Sequence, residues 1–294
     1  MSKEQIGWIG TGVMGSPMCM HLIEAGYPMR VYNRSRDKAA PLVGKGAVWC
    51  DSPAELAQGC DIVFSIVGFP ADVEKVILGE QGALSTLAEG GIMVDMTTSH
   101  PSLAQKIHAA AAQGGKASLD APVSGGDLGA RQGTLAIMVG GEQKTFDQVE
   151  PLFHVMGKNI ALMGGPGCGQ HTKMANQILI AGTMIGVVES LLYAAKTGMD
   201  LDKVIDVIGS GAASSWSINN LGRRIAKKDF EPGFFIKHFI KDMGIALEES
   251  QAMGLSLPGL ALVHKFYKHA EALGLEERGT QALYLVLEEL QNHK

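Results

Sequence analysis

Cysteine is scarce in this chain. Its 294 residues include four, Cys19, Cys50, Cys60 and Cys168, and none of them has metal-ligand spacing. The pattern suits a reducing compartment, so a cytoplasmic location is expected, with each thiol acting as a small buried hydrophobe. Positive charge is not in excess either. Lys and Arg total 25 against 30 Asp and Glu, a formal charge of −5, which argues against a general binder of nucleic-acid backbones. The apolar start reads as the first strand, so no basic-then-apolar leader is expected there, and no window is expected to reach the ~20 apolar residues of a membrane span. The most apolar stretch, Ile178 to Ala195, carries Glu189 and several small residues and reads as a buried helix. Internal repeats and low-complexity tracts are lacking too. The apolar share of 46% is enough for ordinary cores, and the length suggests about two domains.

What is present first is an alternation. Apolar strands are expected at Ile6–Ile9, Met29–Tyr32, Ile62–Val67, Ile92–Met96 and Ala117–Ala121. Helical patterns fall between them, at Met14–Glu24, Pro53–Gln58, Ala71–Leu78 and Leu103–Ala112. Near-continuous apolar strands joined by helices mean a parallel sheet covered on both faces. Leu135–Val139 and Ile160–Met163 read as further strands. After the glycine-rich stretch Met163–Gly167 the pattern changes to helices alone. His171 to Thr197 reads as one long helix stopped by Gly198. More helices are expected at about 201–208, 215–227, 237–253, 260–273 and 281–291. The fold class is therefore α/β: a Rossmann-type dinucleotide-binding domain over residues 1–164, then an all-helical domain over 165–294, joined by a long helix.

The first strand ends in Gly10-Thr11-Gly12-Val13-Met14-Gly15, and a helix follows. Each glycine has a separate use. Gly10 allows the tight turn, Gly12 lets a pyrophosphate approach the backbone, and Gly15 lets helix and strand pack closely. The free N–H groups of the first helical turn then face the phosphates. A Gly-x-Gly-x-x-Gly triplet alone is weak, but here it follows a strand and opens a helix. In this fold an acidic residue at the end of the second strand favours NAD. This strand ends Asn33-Arg34-Ser35-Arg36, with no carboxylate. Arg34 can pair with a 2′-phosphate, and Asn33 and Ser35 can donate to it. NADP is the expected cofactor, with NAD still possible; the plainer reading is that Arg34 and Arg36 decorate a solvated helix start.

Four stretches can line the crevice at the sheet's C-terminal edge: Val67–Pro70, Asp95–Ser99, Asp120–Gly126 and the start of the long helix. Ser124 beside Gly125 and Gly126 offers a hydroxyl and exposed backbone N–H groups, suited to a carboxylate, though an ordinary turn fits the residues as well. Lys173 and Asn176 are three apart and share one helix face. A lysine beside a nicotinamide can transfer a proton at a substrate oxygen while hydride moves on carbon, and burial lowers a lysine's pKa toward that range. Taken alone, a lysine in this position is more often a surface residue.

Together these motifs make the resemblance specific. The sequence resembles the β-hydroxyacid dehydrogenase family over nearly its whole length. The likeness rests on the opening Gly7–Met18 segment, Asp95–Ser99, Asp120–Gly126, Gly133–Gly141, Lys173–Gln177 and His238–Asp242. It implies an NAD(P)-dependent oxidoreductase on a small carboxylate-bearing hydroxy acid or semialdehyde. By resemblance, Lys173 is the catalytic lysine and Asn176 helps hold substrate. Ser124, Gly125 and Gly126 form the substrate-carboxylate loop. Thr98 and Lys241 are cofactor contacts, and Val67 and Pro70 stand where the family has a Leu-Pro pair along the cofactor. The Asn-Arg-Ser segment resembles the NADP-using members.

Other readings compete. A non-catalytic dinucleotide-sensing or partner-binding protein would need no lysine at 173, and an imine reductase on this scaffold commonly has another residue there. Asp242 is expected to cap or to pair with Lys241 rather than to act in catalysis. His171 and His238 are close to the expected site without metal-ligand spacing. Trp216, Asn219, Asn220 and Phe235 are candidates for setting pocket size. The long apolar helix exceeds what a small helical domain hides, so a homodimer or homotetramer is expected, with no nucleic-acid or membrane partner.

Overall fold

The structure, a computed structural model, describes residues 3–292. The chain divides into two compact units, Met1–Lys173 and Met174–Lys294. The first is built on a nine-stranded sheet: β1 (Ile6–Ile9), β2 (Met29–Tyr32), β3 (Val48–Trp49), β4 (Ile62–Ser65), β5 (Ile92–Asp95), β6 (Ala117–Asp120), β7 (Val123–Ser124), β8 (Leu135–Gly140) and β9 (Gly157–Gly164). The order is β3-β2-β1-β4-β5-β6-β8-β7, with β9 on β8. From β3 to β6 every pairing is parallel; β8 runs antiparallel to β6 and β7. Every residue of β1, β4 and β5 is buried, as strands covered on both faces must be. The sheet reverses direction in sequence order between β1 and β4, which leaves a crevice at the strands' C-terminal ends.

Trp8 anchors the core beneath that crevice. It is stacked on Phe64 at 5.4 Å, and Phe64 meets the edge of Phe153 at 6.2 Å. Phe153 belongs to the helix Gln143–Met156, which the sequence pattern hides because Pro151 sits inside it. The strands β3 and β7 also escape a periodicity reading, being two residues each.

In the second unit the described residues form helices, with one isolated bridge between Phe235 and Gly279. The main ones are Leu201–Ile208, Ile236–Ala252, Pro258–Ala272 and Leu283–Asn292. Phe239 meets the edge of Tyr267 at 5.0 Å, and the Tyr267 hydroxyl donates to Thr280 O at 2.8 Å. The expected helix over 215–227 instead opens with a wide π-helical turn, Ser217–Gly222. Asn219 Nδ2 donates to Gly209 O and Asn220 Nδ2 to Trp216 O, side-chain bonds that compete with regular helix pairing.

The long helix runs Cys168–Lys196 and corrects two expectations. By length and composition it does suffice to cross a membrane, which the sequence reading denied. It is also not simply buried. Ala181, Met184, Val188 and Leu191 lie in the second unit's core, but Leu179 is 72% and Tyr193 74% exposed. Apolar residues stand on both sides of the helix, so an amphipathic pattern gave no guide to the open face. Its first turn belongs to the sheet unit rather than to the helical one, because hydrogen bonds tie it there.

Candidate active site

The glycine turn is shaped by what each Cβ would meet. A Cβ on Gly10 would lie 2.1 Å from Ile66 O, and one on Gly15 2.0 Å from Gly10 O. Gly10 also has φ +97°, open to glycine at little cost. Gly12 has nothing within 4 Å of its Cβ position. The turn is therefore closed at two glycines and open at the one where a pyrophosphate would approach. Trp8 Nε1 donates to Gly10 O at 2.9 Å and pins the turn to the core. Thr11 Oγ1 is buried with no hydrogen-bond partner. An open backbone cradle with an unsatisfied hydroxyl fits a dinucleotide phosphate. Val13 is exposed and Met14 half-buried beside it.

Asn33 joins this turn to the end of β2. Its Oδ1 accepts from Thr11 N at 3.1 Å, and its Nδ2 donates to Ser35 O at 2.9 Å. Asn33 is thus a brace as well as a candidate ligand. Arg34 projects outward, its side chain 90% exposed, and its Nη1 lies 3.8 Å from the Asp72 carboxylate. Arg36 lies over the Trp49 ring at 5.4 Å. Pro70 opens the helix Pro70–Leu78, and Val67 N donates to Thr97 Oγ1 at 3.0 Å. Thr98, next in sequence, is half-buried at the end of β5.

Two buried carboxylates organise the C-terminal ends of β5 and β6. Asp95 accepts from Ser65 Oγ and from Thr97 N, and burial pushes its pKa up to about 6. Asp120 accepts from Gly167 N and Gln170 N, each at 2.8 Å, and burial raises its pKa as well. Asp120 thereby caps the start of the long helix. Gln170 completes the clamp: its Oε1 accepts from Ser99 N, and its Nε2 donates to Thr97 O. Lys173, one turn further on, is 6% exposed, and its Nζ donates to Val123 O at 2.8 Å. That carbonyl immediately precedes Ser124. Gly125 and Gly126 follow with φ +133° and +62°, conformations that keep this loop's glycines in place. Lys173 and the Ser124–Gly126 loop are brought together; a surface location for Lys173 is ruled out.

In the second unit, Asn176, Gln177, Asp242 and Lys241 form a chain. Asn176 Nδ2 donates to Gln177 Oε1 at 2.7 Å, and Gln177 Nε2 donates to Asp242 Oδ2 at 2.6 Å. Lys241 Nζ is 3.1 Å from Asp242 Oδ1. His238, on the same helix as Asp242, has its pKa lowered to about 4 by burial and then by Lys241. Trp216 is exposed. Among the described residues no cluster of His, Cys, Asp or Glu suits a metal ion. Sequence reasoning missed Gln170 and Gln177 as clamps. Their signal was available: Gln170, Lys173 and Gln177 recur at helical spacing, three polar residues on one face of an apolar helix.

Comparison with known proteins places the chain in a family. Residues 5–165 match the family profile described as the NAD binding domain of 6-phosphogluconate dehydrogenase. Residues 167–287 match that described as NAD-binding of NADP-dependent 3-hydroxyisobutyrate dehydrogenase. The chain belongs to the β-hydroxyacid dehydrogenase family of NAD(P)-dependent oxidoreductases. It is 54% identical to the probable 3-hydroxyisobutyrate dehydrogenase-like 1, mitochondrial, of Arabidopsis thaliana, covering 99% of this chain and 87% of that one. It is 39% identical to the 2-hydroxy-3-oxopropionate reductase of Escherichia coli over 99% of each. A solved 3-hydroxyisobutyrate dehydrogenase of Mycobacterium tuberculosis with L-serine superposes with TM-score 0.88 and 27% identity, covering 97% of this chain and 99% of that one.

Proposed function

We propose that this member of the family is an NADPH-preferring reductase of short carboxylate-bearing aldehydes or keto acids, equally a 3-hydroxyacid dehydrogenase in reverse. Lys173 is its general acid/base. The observation that carries this reading is the buried Lys173 amine on Val123 O, adjoining the Ser124-Gly125-Gly126 loop. A non-catalytic dinucleotide sensor would have no use for a buried amine there, and burying one carries a desolvation cost.

The turn Gly10–Gly15, with Thr11, Val13 and Met14, would hold the dinucleotide's pyrophosphate. Asn33, Arg34 and Ser35 would take its adenosine end, and Val67, Pro70, Thr98 and Lys241 would contact the rest. When bound, the nicotinamide supplies or accepts the hydride. Ser124 and the neighbouring backbone N–H groups bind the substrate carboxylate and so fix the reacting carbon. Asn176 orients the substrate by hydrogen bonding. In reduction, Lys173 Nζ gives a proton to the carbonyl oxygen as it becomes a hydroxyl; in oxidation it takes that proton back. Arg34 on a strand end without a carboxylate supports NADP over NAD. A panel of glyoxylate, succinic, tartronate and methylmalonate semialdehydes and serine, followed by nicotinamide absorbance, tests the reading. Turnover of at least one, faster with NADPH than NADH, is expected; none, or a clear NADH preference, defeats it.

We also infer that the chain self-associates as a homodimer or homotetramer. Support comes from the open face of the long helix, where Leu179 and Tyr193 are exposed and Gly182 and Gly186 have nothing within 4 Å of their Cβ positions. Such a face loses free energy by staying in water.

A further inference from the structure

The adenosine end of the site contains an acidic group, but the group comes from another element. β2 ends in Asn33 with no carboxylate of its own. Asp72, in the first turn of the helix Pro70–Leu78, reaches across instead, and its Oδ1 is 3.8 Å from Arg34 Nη1. The second arginine is engaged elsewhere. Arg36 lies over the indole of Trp49, whose Nε1 donates to Asp51 Oδ1 at 2.7 Å. Arg34 is therefore the guanidinium free to turn toward an incoming phosphate, and it already faces an anion.

We propose that Asp72 is a specificity-determining residue that holds Arg34 by its charge and competes with the 2′-phosphate of NADP for it, narrowing the preference between the two dinucleotides. The inference rests on Arg34 serving the 2′-phosphate, as set out above. To meet a phosphate, Arg34 must give up or share its attraction to the Asp72 carboxylate, and that lost attraction is subtracted from the binding of the phosphate. The Asp72 side chain is 37% exposed and that of Arg34 90%, so solvent screens the pair. An exposed pair of this kind supports an effect of about two- to five-fold, and salt erodes it. NAD carries no 2′-phosphate and does not contest Arg34.

Isothermal titration of the wild-type protein, Asp72→Asn, Arg34→Ala and the double variant with NADP+ and with NAD+ tests this without any turnover. Asp72→Asn is expected to tighten NADP+ by about two- to five-fold at low salt, leave NAD+ unchanged, and lose its effect in the Arg34→Ala background. Asp72→Glu keeps the charge and is expected to retain the wild-type ratio. An equal change for both dinucleotides, no change for NADP+, or an undiminished effect without Arg34 overturns the proposal. The broader cofactor reading is judged on a different number, the wild-type ratio itself: tighter NAD+ than NADP+ binding defeats that reading whatever Asp72→Asn does.

Discussion

Three single-methyl substitutions in the glycine turn should separate folding from cofactor binding. Gly15→Ala places its Cβ 2.0 Å from Gly10 O and 2.8 Å from Ile66 Cγ2, so backbone must move. Overpacking of this kind costs about 1–3 kcal/mol. In a unit of this size that lowers Tm by roughly 2–12 °C, at about 2–4 °C per kcal/mol. Gly10→Ala adds the strain of φ +97° to a 2.1 Å approach to Ile66 O, a further ~1–2 kcal/mol. Gly12→Ala meets nothing within 4 Å and does not have a positive φ. Its fold should be kept, with stability unchanged or raised by about 0.4–1 kcal/mol through the less flexible unfolded chain. Its methyl fills the approach of the pyrophosphate, so NADP+ affinity should fall about ten-fold or more, some 1.4 kcal/mol. Thermal unfolding and isothermal titration on the same three proteins read both quantities. A Gly12→Ala protein that melts like Gly15→Ala, or binds NADP+ like the wild type, refutes the assignment of the open glycine to the phosphate.

Further outcomes follow from the buried polar groups and the open helix face. Burial raises Asp95 from 3.8 to about 6 in the folded protein, so the folded state holds the proton more tightly, and this group's contribution to stability falls as pH rises from about 4 to 6. Asp95→Asn keeps an acceptor for Ser65 Oγ and Thr97 N and should flatten that part of the pH profile. It should gain up to about 3 kcal/mol over the wild type near pH 7, less the cost of burying its new amide, measured by denaturant titration across pH. Gln170→Ala leaves Ser99 N and Thr97 O without their partner. It should cost about 1–3 kcal/mol in stability and lower kcat as the helix start loosens under Lys173; an unaltered melt and kcat would show that the clamp is not needed. Leu179→Glu with Tyr193→Glu should reduce the mass found by size-exclusion light scattering; an unchanged oligomer places the contact elsewhere.

Much of this was legible from the amino acids because the signals were local. The apolar strands and the glycine turn are read from consecutive residues, and each parallel strand must be followed by a helix on a short connection. The Lys173–Asn176 pair was legible as a spacing, and the Asn33–Ser35 segment as a missing carboxylate. What escaped depends on contacts distant in sequence. Asp120 caps a helix that begins after Gly167, and Gln170 bonds back to Thr97 and Ser99. Asp72 meets Arg34 only because β2 and β4, which flank β1 in the sheet, carry their following segments to the same edge. That the long helix carries more apolar surface than its unit hides was legible, but which residues lie open, Leu179 and Tyr193 among them, was not: an apolar helix looks the same in sequence whichever of its faces is covered.

The most direct test of the catalytic assignment is the turnover of Lys173→Met with the best substrate of the panel. Methionine keeps the apolar length of the side chain and removes the amine. The account predicts that kcat falls about 10²–10⁴-fold, the usual contribution of a general acid/base, with NADPH affinity near that of the wild type. Turnover that persists undiminished without the amine would contradict it.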